Sequence, residues 1–137
     1  MRITRCLLDL GIIAHRKGNF DEARGLFKEC LEIEKVLGHK SCIANLHHRL
    51  GALEEVNNNI EGARNLYQES LRLYQELEDH NGIAVILTQL SLIEEKADNL
   101  TSALALIKKA EAIFIELECS NAAEAQEIRE RIEKKFG

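Results

Sequence analysis

The chain has 137 residues, 45% hydrophobic but only 4% aromatic, with no Trp and no Pro. One domain with an aliphatic core and helices unbroken by proline fits those figures. Its 23 acidic and 18 basic residues leave a net charge of −5, the wrong balance for a protein built to hold a phosphate backbone, so no nucleic-acid partner is expected.

The first predicted helix runs about Ile3–Lys17, with Leu7, Leu10, Ile13 and Ala14 spaced for one face. Its start imitates a signal peptide, but Asp9 interrupts the apolar run, so a structural helix and a cytoplasmic location are expected. No stretch reaches the roughly 18 apolar residues of a membrane span, and no membrane partner is expected. Gly18-Asn19 then forms a turn, because Gly, Asn and Asp tolerate left-handed backbone and cap helices. A second helix, about Phe20–Leu37, turns Ala23, Phe27, Cys30 and Leu31 inward. The same plan recurs with Ser41–Asn57 and Ile60–Glu78 around Asn58-Asn59, and with Asn81–Ala97 and Leu100–Leu117 around Asp98-Asn99. The links GHKS, EDHN and ECSN each end in a Ser or Asn suited to cap the following helix. A seventh helix, about 121–135, carries one stripe of Ala122, Ala125, Ile128 and Ile132 on an otherwise charged surface.

These elements form a repeat with a spacing of 40 residues: Asn19, Asn59 and Asn99 coincide, as do Ala23, Ala63 and Ala103. The expected organisation is one domain over 1–137, with repeats 4–40, 41–80 and 81–120 and a capping helix 121–135. Gly11, Gly51 and Ser91 fall where the second helix must approach closely, answered by the alanine column. Phe27, Tyr67 and Ile107 are the larger knobs one turn on. No equivalent cap guards the first helix, whose outer side must meet solvent or something else.

Leu10-Gly11, Ala14, Gly18, Phe20, Ala23 and Phe27, with their counterparts Leu50-Gly51, Ala63, Tyr67 and Leu90-Ser91, Ala103, Ile107, resemble the tetratricopeptide repeat. The long unit and missing proline are similar to the branch found in kinesin light chains and prokaryotic regulators. The expected fold is all-α: a right-handed superhelical solenoid of three antiparallel helix pairs plus a C-terminal capping helix, seven helices in all. The resemblance implies a module that binds a protein or peptide, not a catalyst.

In such an array the first helix of each pair lines the concave side. Residues of that helix not needed for packing are the candidate groove: Leu8, Ile12, His48, Arg49, Ala52, Val85, Gln89 and Leu92. Either the longer helices bury these apolar side chains internally, or the groove receives a partner's segment. A carboxylate-binding clamp is excluded, since its columns hold Leu8, His48, Thr88 and Ile12, Ala52, Leu92. No catalytic residue, cofactor or metal is expected. No P-loop or nucleophile elbow occurs, His47 and His48 point about 100° apart, and the four cysteines are read as packing residues. The pairs Glu54-Glu55 and Glu94-Glu95 are read as solvated flanks. The rival to a binding module is a docking fragment of a larger regulator, or a homo-oligomer formed through the uncapped first helix.

Overall fold

A computed structural model describes residues 2–136; the end residues of the expected 1–137 domain lie outside them. Seven helices occur in the described residues: α1 Arg2–Arg16, α2 Phe20–Leu37, α3 Lys40–Val56, α4 Ile60–Glu76, α5 His80–Lys96, α6 Leu100–Glu116 and α7 Asn121–Phe136. No strand occurs among these residues, and the fold is an all-α helical repeat. No helix is long and apolar enough to cross a membrane.

Two compact units divide the chain, Met1–Leu73 and Tyr74–Gly137, with the division in the last turn of α4. In the first, α2 packs on both α1 and α3. Their amphipathic faces close over Ala14, Ala23, Phe27, Cys30, Leu31, Leu46, Leu50 and Leu53. In the second, α6 packs on both α5 and α7, and Ile86, Ile93, Ile107, Phe114, Ile128 and Ile132 are buried. The α7 stripe thus turns inward as expected through Ala125, Ile128 and Ile132, while Phe136 stays exposed.

The turns follow a stricter rule than the 40-residue repeat. A residue with positive φ occurs every 20 residues, at Gly18, Gly38, Asn58, Glu78, Asp98 and Glu118. At Gly18 its N–H meets the His15 carbonyl at 3.0 Å while the Asn19 N–H meets the Ala14 carbonyl at 2.8 Å. That pair of bonds satisfies carbonyls the helix end leaves open. The same pair recurs after α3, α4, α5 and α6. Glycine, Asn and Asp suit this backbone, but Glu does not, because its Cβ crowds the following carbonyl at a cost of roughly 1–2 kcal/mol. Glu78→Gly and Glu118→Gly should therefore each stabilise the protein by about 0.5–1 kcal/mol, after the entropy glycine loses on folding. A urea midpoint that falls in either variant would contradict this account of the turns.

Two expectations need correction. Helices α3 and α5 start before Ser41 and Asn81, and His39 and Asp79 hold their N-cap positions. Of these two, Asp79 alone caps with its side chain, accepting from the Gly82 N–H at 3.0 Å. The expected inward face of α1 is also only half correct. Gly11 and Ala14 are buried, but Leu10 is 52% and Ile13 47% exposed. The same columns in α3 and α5, Leu50, Leu53, Leu90 and Ile93, are buried. No described helix covers that side of α1.

Close approach falls where the small residues stand, with a different partner from the one expected. A Cβ on Gly11 would lie 2.5 Å from a Phe27 ring carbon, and one on Gly51 would lie 2.7 Å from a Tyr67 ring carbon. The aromatic knob, rather than the alanine, fills the glycine notch. In the third repeat Ile107 replaces the ring, and Ser91 fits, its hydroxyl donating to the Ala103 carbonyl at 2.7 Å.

Candidate partner-binding faces

All eight groove candidates are half-buried. In the first unit, Leu8 and Ile12 rest partly on the core cluster. Each also borders open space. Leu8 lines a cavity of about 430 Å³ with Arg5, Asp9 and Asn45. Ile12 and Arg49 line a second of about 460 Å³ with His15, Phe20 and Val56. His48 faces Tyr67 with ring centroids 5.8 Å apart. Burial, with Arg49 beside it, pushes the His48 imidazole down to about 4. The ring is therefore neutral at pH 7 and presents apolar edge to its surroundings. Tyr67 donates its hydroxyl to the Glu55 carboxylate, and burial pushes its phenol above the ordinary range. Ala52 lies half-buried on the same helix.

In the second unit, Val85 and Gln89 line a recess of about 70 Å³ with Thr88, Phe114 and Glu124. That volume admits a side-chain tip and nothing larger. Leu92 is half-buried one turn further along α5. The structure thus joins Leu8 with Asn45, Ile12 with Arg49, and Val85 with Gln89, and places His48 against an aromatic.

The carboxylate pairs are more than solvated flanks. Glu95 receives two bonds from the Arg131 guanidinium, at 2.6 and 2.9 Å, and an ion pair from Lys135 at 2.9 Å. The Arg131 bond leads in holding the Glu95 carboxyl down at about 2, against the opposing pull of burial. Arg129 reaches Glu111 at 2.6 Å. These bridges tie α7 to α5 and α6. Glu54 accepts from the Asn59 amide at 2.7 Å and pairs with Arg24 at 3.6 Å.

The cysteines also differ from expectation. Cys30 is buried, with its thiol 3.4 Å from the Thr4 carbonyl. Cys6 and Cys42 are exposed, so packing does not explain them. His47 is half-buried, and burial lowers its imidazole. Where the sequence showed no Cys/His ligand set, the structure brings Glu34, His39 and Cys42 together, their donor atoms all within 4.8 Å of one another. Glu34 is buried, and His39 Nδ1 lies 2.8 Å from its carboxylate. Burial alone would raise the Glu34 carboxyl, but bonds from Thr4 and His39 and the His39 charge outweigh it and hold it below the usual range.

The tetratricopeptide repeat family model matches residues 3–76 and again 42–116. The chain belongs to the tetratricopeptide repeat family. Solved structures with this tetratricopeptide fold include BtubC (BKLC) from P. vanneervenii, with a TM-score of 0.86 at 18% identity over 96% of this chain and 55% of that one. A candidate kinesin light chain of Podosopora anserina, with nearly identical TPR-like repeats, gives a TM-score of 0.78 at 15% identity over 93% of this chain and 64% of that one. The Yersinia enterocolitica type III secretion chaperone SycD, solved with a peptide of the translocator YopD, gives 0.75 at 15% identity over 100% and 97%. This tetratricopeptide chain therefore spans 55% and 64% of the length of the first two. No curated protein matches it.

Proposed function

We propose that this chain is a non-catalytic interaction module, a scaffold or regulatory adaptor that takes a protein or peptide segment against the first helices of its repeats. The observation that carries this reading is the state of the eight candidates: half-buried, apolar at Leu8, Ile12, Ala52, Val85 and Leu92, polar at His48, Arg49 and Gln89. Within each unit, a face held on one side by the core and left open on the other is rigid before binding, which lowers the entropy a partner must offset. The SycD structure, of the same fold, holds a peptide. The opening lined by Ile12, Phe20, Val56 and Arg49 suits an apolar side chain with a polar neighbour, because apolar and polar residues line it together.

Peptides selected from a random display library by the wild-type chain should bind Leu92→Asp or Ile12→Asp at least about tenfold more weakly, with native helical circular dichroism retained. Selected peptides that bind both variants as they bind the wild type would remove these faces from the reading.

A second reading has its own observation. Ile3, Leu10 and Ile13 form an exposed apolar stripe on α1, in columns that are covered in α3. Self-association or docking to another domain through α1 would cover it. Sedimentation equilibrium of wild-type and Leu10→Lys chains separates the readings, since only association through α1 is lost with the substitution.

A further inference from the structure

Column by column, one place in the first repeat breaks the pattern of the others. The position of Glu34 is Tyr74 in the second repeat and Phe114 in the third, and that of Cys42 is Gly82 and then Ala122. In the second repeat the Tyr74 ring covers the glycine so closely that a Cβ there would lie 2.6 Å from it. An aromatic packed on a small residue is thus the apolar solution this fold has for the site. The first repeat instead buries a carboxylate and surrounds it with polar groups found in neither other copy. His39 replaces Asp79 and Cys119, and Thr4 replaces Ala44 and Ala84. Burying a carboxylate where an aromatic would pack sacrifices stability, and such local breaks concentrate at functional sites.

The backbone explains how the group assembles. Gly38, with φ of 75°, turns the chain back over the last turn of α2. His39 then takes the N-cap of α3, and Cys42, three residues on, lies in the first turn of that helix. Both come back toward Glu34, one turn before the end of α2. The Glu34 side chain is 2% exposed and that of His39 is 37% exposed, while Cys42 is exposed. The carboxylate is therefore a fixed donor, and the other two are reachable and adjustable. Thr4 and Cys42 also donate to Glu34.

We propose that Glu34, His39 and Cys42 form a site for a borderline-soft divalent cation of the Zn²⁺ class. Carboxylate oxygen, imidazole nitrogen and thiolate sulfur are the donor types such ions take together, whereas Mg²⁺ and Ca²⁺ select oxygen alone. The three atoms lie at most 4.8 Å apart. Tetrahedral bonds of about 2.0–2.3 Å place donors roughly 3.3–3.8 Å apart. A contraction of about 1 Å is within side-chain rotation of His39 and Cys42. On binding, Cys42 loses its thiol proton to solvent and His39 binds as neutral imidazole. Thr4 remains on the carboxylate as an outer partner that fixes its orientation. Glu34, His39 and Cys42 themselves line the cavity shared with Arg5, Leu8, Asp9 and Asn45, from which water would complete the shell. The ion would clip the end of α2 to the start of α3.

The test is a titration of the reduced chain with Co²⁺, followed by Zn²⁺ displacement, on wild type, Cys42→Ser and His39→Gln. The expected result is one Co²⁺ per chain with a thiolate-to-cobalt charge-transfer band that Zn²⁺ abolishes. Cys42→Ser should lose the band, and both variants should bind at least about 100-fold more weakly, since losing a ligand costs no less than losing an outer partner. Zn²⁺ should raise the melting temperature of the wild type and leave that of Cys42→Ser unchanged. No band in the wild type, a band that persists in Cys42→Ser, or unaltered affinity in a folded His39→Gln would each overturn the assignment. If His39→Gln does not fold, the exposed Cys42→Ser substitution decides alone.

Discussion

Gly51→Leu should destabilise the protein by about 3 kcal/mol, the upper end of the range for overpacking a filled core. Ordinary helix propensity points the other way, because leucine in a helix interior is favoured over glycine by somewhat under 1 kcal/mol. Packing decides the sign. Even a Cβ at position 51 would lie 2.7, 2.9 and 3.2 Å from three carbons of the Tyr67 ring. That ring has no exposed surface, and its hydroxyl is held by Glu55, so it has nowhere to move. Gly25 supplies the control, since nothing lies within 4 Å of a Cβ placed there. Gly25→Ala should stabilise by about 0.5–1 kcal/mol. Urea denaturation of both variants checks the pair. Equal stability of Gly51→Leu and wild type would refute the glycine-notch account. The third repeat suggests a rescue: Gly51→Ser with Tyr67→Ile reproduces the Ser91 and Ile107 combination. The double variant should be more stable than the sum of its single changes predicts.

The same contrast between column and contact marks what the sequence made legible. Repeating columns reveal helices and turns, because apolar periodicity and turn residues report local backbone and burial together. Glycine, Asn and Asp announce the turns at 18, 58 and 98. The equivalent turns at 78 and 118 are silent, because Glu carries no signal for left-handed backbone and is tolerated there at a cost. Leu10 and Ile13 follow the inward pattern yet remain exposed, since a pattern specifies what a face can bury and not whether something covers it. For the candidate site, subtracting packing columns found first-helix residues that keep an open side. It did not find that Leu8 and Ile12 also lean on the core, which depends on helix rotation. The Glu34, His39 and Cys42 group had a readable signal, a charged residue in a column otherwise held by Tyr74 and Phe114. Its three members are joined only by the path of the turn at Gly38, which the columns do not describe.

Lowering the pH from 6.5 to 5 should cost the protein about 1.5 kcal/mol through His48 alone, the slope rising toward roughly 1.4 kcal/mol per pH unit. The His48 imidazole is held near 4 in the folded chain, chiefly by burial and further by Arg49, against 6.5 when unfolded. Its folded value is depressed, so the unfolded state takes up the proton first. Stability is therefore complete above about 6.5, falls as pH drops toward 4, and changes no further from this group below that. His47, also lowered by burial, tilts the curve in the same direction. The carboxylates act in a different window. Glu95 is held near 2 by its bonds with Arg131 and Lys135, against 4.5 unfolded. Its contribution is intact above about 4.5 and fades as pH falls toward 2, loosening α7 where Arg131 and Lys135 attach. Restricting the measurement to pH 5–7 isolates the imidazoles. His48→Gln keeps a neutral side chain of similar length on the face of Tyr67, and it should flatten most of the slope in the urea midpoint over that interval. A variant that retains the full wild-type slope would place the titrating group elsewhere and return His48 to an ordinary solvated histidine. Because His48 lies among the residues proposed to meet a partner, the uncharged ring at neutral pH also sets what that face can accept. An apolar or hydrogen-bonding side chain suits the half-buried His48 edge at pH 7, and protonation in acid would make the same position cationic only by weakening the fold that presents it.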